Sequence, residues 1–191
     1  MTKAQEKQLI KRGLFSTGDA EKAGLSRPAI SRLVQQGTLL RVGRGLYMHE
    51  NAKSSPTELG FQIACAKFGP QSAIGGLSAL FHYNLIEQVP QQTWIIVPES
   101  KTTKELGYRL LRMKVNRTVG IVDKDRYRIV SLERALVEGL KLSSKIGERT
   151  ALRAVREALS KRLTTEKKVG EMAKALGLLS AVTRYSEAIF A

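Results

Sequence analysis

The stretch from Phe15 to Met48 changes its local rule every few residues, and no other feature of the chain constrains its fold as much. Ser16 and Thr17 are both good helix N-caps, and Asp19 and Glu21 suit the positive end of a helix dipole. They predict a short helix ending by Ala23. Gly24 follows, where a turn needs positive φ, and Leu25 is the turn's apolar residue. Ser26 caps a second helix, and Pro28 sits in its first turn, where a missing N–H costs nothing. That helix runs to Gln36 and is stopped by Gly37. Leu39 to Val42 and Leu46 to Met48 then flank Gly43-Arg44-Gly45, which predicts a β-hairpin with one arginine at its tip. Helix, turn, helix and hairpin in this order make a winged helix-turn-helix. The plainer alternative is a helical hairpin followed by an unrelated β-hairpin.

The second helix carries the chemistry. At about 100° per residue, Ala29, Ile30, Leu33 and Val34 share one side. Pro28, Ser31, Arg32 and Gln35 share the other, with Arg27 at its edge. A short polar face of this kind can enter a major groove and offer donors and acceptors to base edges. An ordinary solvated helix would carry Glu/Lys pairs four apart, and none occur here. Arg44 between two glycines suits a narrow minor groove or a phosphate pair, because glycine lets the backbone approach closely. The candidate DNA contacts of this segment are Ser26, Arg27, Ser31, Arg32, Gln35, Arg41 and Arg44.

Charge supports a polyanion partner. The chain has 191 residues and a net charge of +15. The excess falls in three blocks: +5 over residues 1–50, +6 over 100–130 and +6 over 141–168. Near-neutral segments rich in Ala, Leu, Ile and Phe separate them. That spacing suits a folded chain with several basic surfaces, since a disordered basic tail would gather its charge at one end. Solubility alone does not require so large an excess. The single cysteine, Cys65, cannot form an intrachain disulfide, which fits a reducing cytoplasm. No apolar run follows Met-Thr-Lys-Ala-Gln-Glu-Lys, so no secretory leader is expected. No apolar run approaches the roughly 18 residues of a membrane-spanning helix.

The expected class is α+β, in two domains. A helix over residues 4–12 precedes the winged segment. Ser54-Ser55-Pro56 is the linker candidate, giving a winged domain over 1–53 and a larger mixed domain over 57–191. In the latter, Thr57 is expected to cap a helix over 58–68, with Gly69-Pro70 stopping it. Gln71 to Ile74 reads as extended, and Leu77 to Tyr83 as a short helix. Thr93 to Val97 is the clearest strand. Arg109 to Val115 and Arg126 to Val130 are two more, the last with Tyr127 and Ile129 on one face. Asp123-Lys124-Asp125 reads as a turn. Helices are expected over 132–142, 148–162, 165–176 and 179–190. On the 148–162 helix, Arg149, Arg153 and Arg156 form a basic stripe opposite Leu152, Val155 and Leu159. It is either a solvated face or a set of phosphate contacts, to DNA or to RNA, or a seat for an acidic partner.

Several motifs in order resemble a known family. They are Phe15-Ser16-Thr17-Gly18-Asp19-Ala20, the wing Arg44-Gly45-Leu46-Tyr47, Gly76-Leu77-Ser78-Ala79-Leu80-Phe81-His82-Tyr83-Asn84-Leu85, and Tyr127-Arg128-Ile129-Val130-Ser131-Leu132-Glu133-Arg134-Ala135-Leu136. The chain resembles, over about residues 14–160, the AbiEi family of antitoxins and regulators in bacterial type IV toxin–antitoxin, or abortive-infection, systems. The resemblance implies a winged domain that binds inverted repeats in its own promoter. It implies a C-terminal domain acting against a cognate nucleotidyltransferase toxin without a stable complex. One departure is a Glu at Val137-Glu138, where the family often carries Asp. Arg134 reads as a structural hydrogen-bonder tying helix to sheet, His82 as a packed side chain, and Cys65 as a small buried hydrophobe.

Two other readings exist. One is a solitary winged-helix regulator with no toxin partner. The other is a Mg-dependent nuclease built on Glu99-Ser100-Lys101 after the Thr93 strand. A nuclease needs a second carboxylate, and Glu87 and Glu58 are poorly placed for that. Residues 57–191 otherwise show no catalytic constellation. No enzyme activity, cofactor or metal is therefore expected, and the expected partners are double-stranded DNA and the toxin.

Overall fold

The computed structural model describes residues 2–53, 55–112, 118–124 and 126–190. Two compact units divide between Ile63 and Ala64. The chain is α+β, and unit 1 is a winged helix-turn-helix.

Unit 1 opens with α1 (Lys3–Arg12), capped reciprocally by Thr2 and Gln5. A short strand β1 (Leu14–Ser16) follows, then α2 (Thr17–Lys22), α3 (Arg27–Gln35), β2 (Leu39–Gly43) and β3 (Leu46–His49). β1 is not anticipated by the sequence pattern. It exists because its backbone pairs with β3, Leu14 opposite Met48 and Ser16 opposite Leu46, so the hairpin becomes a three-stranded antiparallel sheet. The core is one cluster of Leu9, Phe15, Ala20, Leu25, Ile30 and Leu39, with Leu33, Val34 and Tyr47 packed against it. Each element thus contributes at least one side chain that keeps water out. The Gln5 amide donates to the Ala23 carbonyl at 2.9 Å, which ties α1 to the turn between α2 and α3.

The helix α4 (Pro56–Phe68) spans the division between units. It starts earlier than Thr57 capping implies. Ser55 Oγ accepts from the Glu58 amide at 3.2 Å, and Pro56 takes the first helical position, for which its fixed φ is suited. Ser54, the first residue of the expected linker, lies outside the described residues.

Unit 2 is built on a five-stranded mixed sheet. Its strands are β4 (Ala73–Ile74), β5 (Thr93–Ile96), β6 (Tyr108–Leu111), β7 (Ile121–Lys124) and β8 (Tyr127–Val130), in the order β6-β5-β4-β8-β7. The pairs β4–β8 and β5–β6 are parallel, and the other two are antiparallel. β7 corrects the reading of Asp123-Lys124 as turn. Asp123 lies opposite Arg128 and accepts from its Nε at 2.8 Å, so opposite charges across the strands support a ladder that the polar sequence hides. Asp125, and residues 113–115 of the expected second strand, lie outside the described residues.

Around the sheet lie α5 (Gly76–His82), α6 (Leu132–Lys141), α7 (Ser143–Ile146), α8 (Glu148–Ser160), α9 (Glu166–Ala175), α10 (Leu179–Thr183) and α11 (Ser186–Phe190). The single helix expected over 179–190 is two. The break at Arg184–Tyr185 buries Tyr185, whose hydroxyl meets Ser143 Oγ at 3.0 Å.

Inside unit 2 an ion pair is wholly buried. Arg134 Nε donates to Glu138 Oε1 at 2.7 Å, one helical turn along α6, and both side chains are 0% exposed. The Arg134 guanidinium also donates to the Val119 carbonyl beside β7. The Gly76 amide at the start of α5 acts on Glu138 in the sense that favours its carboxylate form. Burial raises the Glu138 pKa above its ordinary value, although Arg134 and Gly76 oppose this. Through Arg134 the pair therefore ties α6 to the sheet edge. His82 packs edge-on against Tyr83 and Tyr127. Half-buried Cys65 donates its thiol toward the Arg128 carbonyl at 3.6 Å, and burial pushes its pKa up.

Candidate nucleic-acid interface

In unit 1 the turn and its flanking caps are fixed locally. Ser16 Oγ accepts from the Asp19 amide at 3.1 Å, and Asp19 Oδ2 accepts from the Ser16 amide at 2.9 Å, a closed capping box. Burial alone would raise the Asp19 pKa. The two Ser16 bonds and the Arg12 guanidinium at 2.6 Å outweigh it and hold the carboxyl below the usual range. Gly24 takes φ +84, as the turn requires, and Leu25 is buried.

α3 then presents two contrasting sides. Ile30 is buried and Ala29, Leu33 and Val34 are partly so, whereas Ser26, Arg27, Pro28, Ser31, Arg32 and Gln35 are all exposed. The division expected from helical periodicity is the one the fold makes. Ser26 is partly occupied as the cap, its Oγ accepting from the Ala29 amide at 3.4 Å. Ser31, Arg32 and Gln35 have no side-chain hydrogen bond or ion pair among the described residues. Arg27 has one: its Nε donates to Glu21 Oε1 of α2 at 2.9 Å. The sequence marks Glu21 only as a dipole-favoured residue. The contact crosses the turn, six residues apart, at a spacing no helical rule flags.

The wing tip is anchored. The Gly45 carbonyl accepts from the Thr17 amide at 2.9 Å and from Thr17 Oγ1 at 3.4 Å, so it satisfies an N–H at the start of α2. Gly45 reaches this geometry at φ +69, which side chains with a Cβ adopt with strain. The register shifts between Arg41 and Gly43, a bulge that turns the strand at its end. Arg41 Nε donates to the Gly43 carbonyl at 3.4 Å, and Arg44 is exposed with no partner among the described residues. An arginine held out on an anchored tip should act on every duplex. Arg44→Ala is therefore expected to weaken binding to all sequences about equally, or to relax a preference for A·T-rich flanks. Titrations against A·T-rich and G·C-rich duplexes at two salt concentrations check this. Unchanged affinity and salt dependence would remove the hairpin from the interface.

In unit 2, Arg149, Arg153 and Arg156 are exposed on α8 and line one open groove of about 450 Å³ with Leu152, Glu157 and Ser160. The stripe is not uniform. Arg153 Nη2 pairs with Glu87 at 2.6 Å. Arg156 holds the Ala188 carbonyl through Nε, at 2.8 Å, and Nη2. Arg149 has no partner among the described residues. Glu99 and Lys101 of the nuclease reading are exposed in the loop after β5, and Glu87 is engaged by Arg153. Among the described residues, no three His, Cys, Asp or Glu side chains are grouped to hold a metal ion. No helix there is long and apolar enough to cross a membrane.

Residues 5–48, from within α1 to within β3, match the family model described as transcriptional regulator, AbiEi antitoxin. The match covers most of the winged helix-turn-helix of unit 1 and none of unit 2. No curated protein matches the chain.

Proposed function

We propose that this protein is a sequence-specific DNA-binding repressor of its own operon and the antitoxin to a nucleotidyltransferase toxin of a type IV system. The observation that carries the DNA half is the exposed polar side of α3, where Ser31, Arg32 and Gln35 stand uncommitted beside Arg27. Groups of this kind match the donor and acceptor pattern of the major groove. Arg41 and Arg44 of the wing supply contacts to phosphate or the minor groove. Arg149, Arg153 and Arg156 supply further phosphate contacts, Arg149 foremost because its donors are uncommitted. The description of the matching family as regulator and antitoxin supports the toxin half. In this reading unit 2 carries that activity, without a stable complex.

One pair of assays on the full chain tests both halves. The wild type is expected to bind its own promoter, at inverted repeats, in preference to a base-scrambled duplex. It is expected to restore growth when the toxin encoded beside it is expressed. A variant lacking the α3 polar groups should lose promoter preference and keep growth protection. No promoter preference in the wild type would sink the repressor reading. Loss of protection together with DNA binding would sink the division of labour between the units.

A further inference from the structure

Glu21 and Arg27 stand on different helices of unit 1, with Gly24 and Leu25 in the turn between them. The contact at 2.9 Å engages Arg27 through Nε, the inner corner of its guanidinium. Both Nη groups have no partner among the described residues, and the Arg27 side chain is 79% exposed. Arg27 is also the first residue of α3, at the edge of its polar side.

A bare arginine on such a helix is drawn first to phosphate, the strongest and most accessible negative charge on a duplex. A carboxylate at 2.9 Å changes the competition. The pair's net charge is close to zero, and Glu21 itself repels a phosphate that approaches Arg27. Hydrogen bonding by the Nη donors is not reduced. They form a flat, two-pronged end directed away from Glu21, and that end matches the N7 and O6 acceptors of guanine. Holding Nε also lowers the number of orientations the long side chain must give up on binding.

We infer that Glu21 is a positioning residue that makes Arg27 a reader of guanine instead of a phosphate contact. This rests on the DNA-binding reading above and names the base that the start of α3 recognises.

The inference has a signature that a simple surface ion pair lacks, because removing Glu21 should move two quantities in opposite directions. Full-length protein is used to select a preferred duplex from a random library, and single guanines in it are then replaced by 7-deazaguanine, which lacks the N7 acceptor. Wild type is expected to lose affinity on the order of tenfold at one guanine. In Glu21→Gln that sensitivity should shrink, binding to scrambled duplex should strengthen, and the salt slope should steepen by up to about 0.9, the value of one added phosphate contact. Arg27→Ala should lose the guanine sensitivity with little change in slope. Arg27→Lys, which keeps the charge without the fork, should lose it as well. Thermal melting checks that each variant is folded as the wild type is. The inference is overturned if Glu21→Gln keeps both guanine sensitivity and slope, or if Arg27→Ala flattens the slope by a full contact while guanine sensitivity stays. A preferred duplex with no sensitive guanine would overturn it too. If wild type selects no sequence at all, the DNA-binding reading itself has failed, which is a separate outcome.

Discussion

Replacing Arg134 by methionine is expected to destabilise the protein by about 3–5 kcal/mol, because it leaves the Glu138 carboxylate buried without its partner. The cost is large because water cannot reach either group: both side chains are 0% exposed. The methionine also abandons the Val119 carbonyl, so the sheet edge loses its tie to α6. The cost should depend on pH in a defined sense. Burial already raises the Glu138 pKa, and removing Arg134 removes an influence that lowers it. A carboxyl whose folded pKa exceeds its unfolded value contributes stability below the unfolded value, and that contribution is lost as pH rises through the folded one. The variant should therefore recover stability as pH falls toward the ordinary carboxylate range of about 4–5. Arg134→Met with Glu138→Leu has no buried charge and should show no such recovery relative to the single variant. It should also lie much closer to the wild type at neutral pH. Denaturant unfolding of the three proteins at pH 5 and pH 7 makes the comparison. A single variant within about 1 kcal/mol of wild type, the worth of an exposed pair, would show that the pair does not hold unit 2 together.

The second large effect concerns recognition. Arg32→Ala and Gln35→Ala are each expected to cost about 1–3 kcal/mol on a preferred duplex and little on random DNA. By affinity arithmetic that is roughly 5- to 150-fold for each. Both side chains are exposed opposite Ile30 and Leu33 and have no side-chain hydrogen-bond partner among the described residues, so their removal leaves the fold of α3 intact. Gel-shift titration on matched and scrambled duplexes separates the possibilities. Equal losses on both would make these residues phosphate contacts.

What was legible in the chain follows the range of the forces involved. Ser26, Pro28, Gly24 and Gly37 each act within a turn of themselves, so α3 and its boundaries could be read residue by residue. β1 could not, because Leu14–Ser16 has no alternation of its own and becomes a strand only by pairing with β3, thirty or so residues on. β7 was hidden for the same reason, with Asp123 supported by Arg128 from the next strand. The α8 stripe shows the limit from the other direction. Helical periodicity placed Arg149, Arg153 and Arg156 together, as they are. It could not show that Glu87 and the Ala188 carbonyl, from distant segments, take up donors of two of them. In the sequence Glu138 stands out only as a departure from a family pattern, although its spacing of four from Arg134 is the helical pair distance. Its meaning depended on burial, which no local pattern reports.

The bond between the Gly45 carbonyl and the Thr17 amide fixes more than a conformation. It carries the β1–β3 pairing one step past Ser16 and Leu46, so the β3 side of the wing is fastened to the start of α2. Residues inserted between Gly43 and Gly45 would lengthen the tip and leave that fastening in place. The wing can thus change in reach, or in the side chain at Arg44, without disturbing α2 and the turn that follows it, as surface hairpins commonly do.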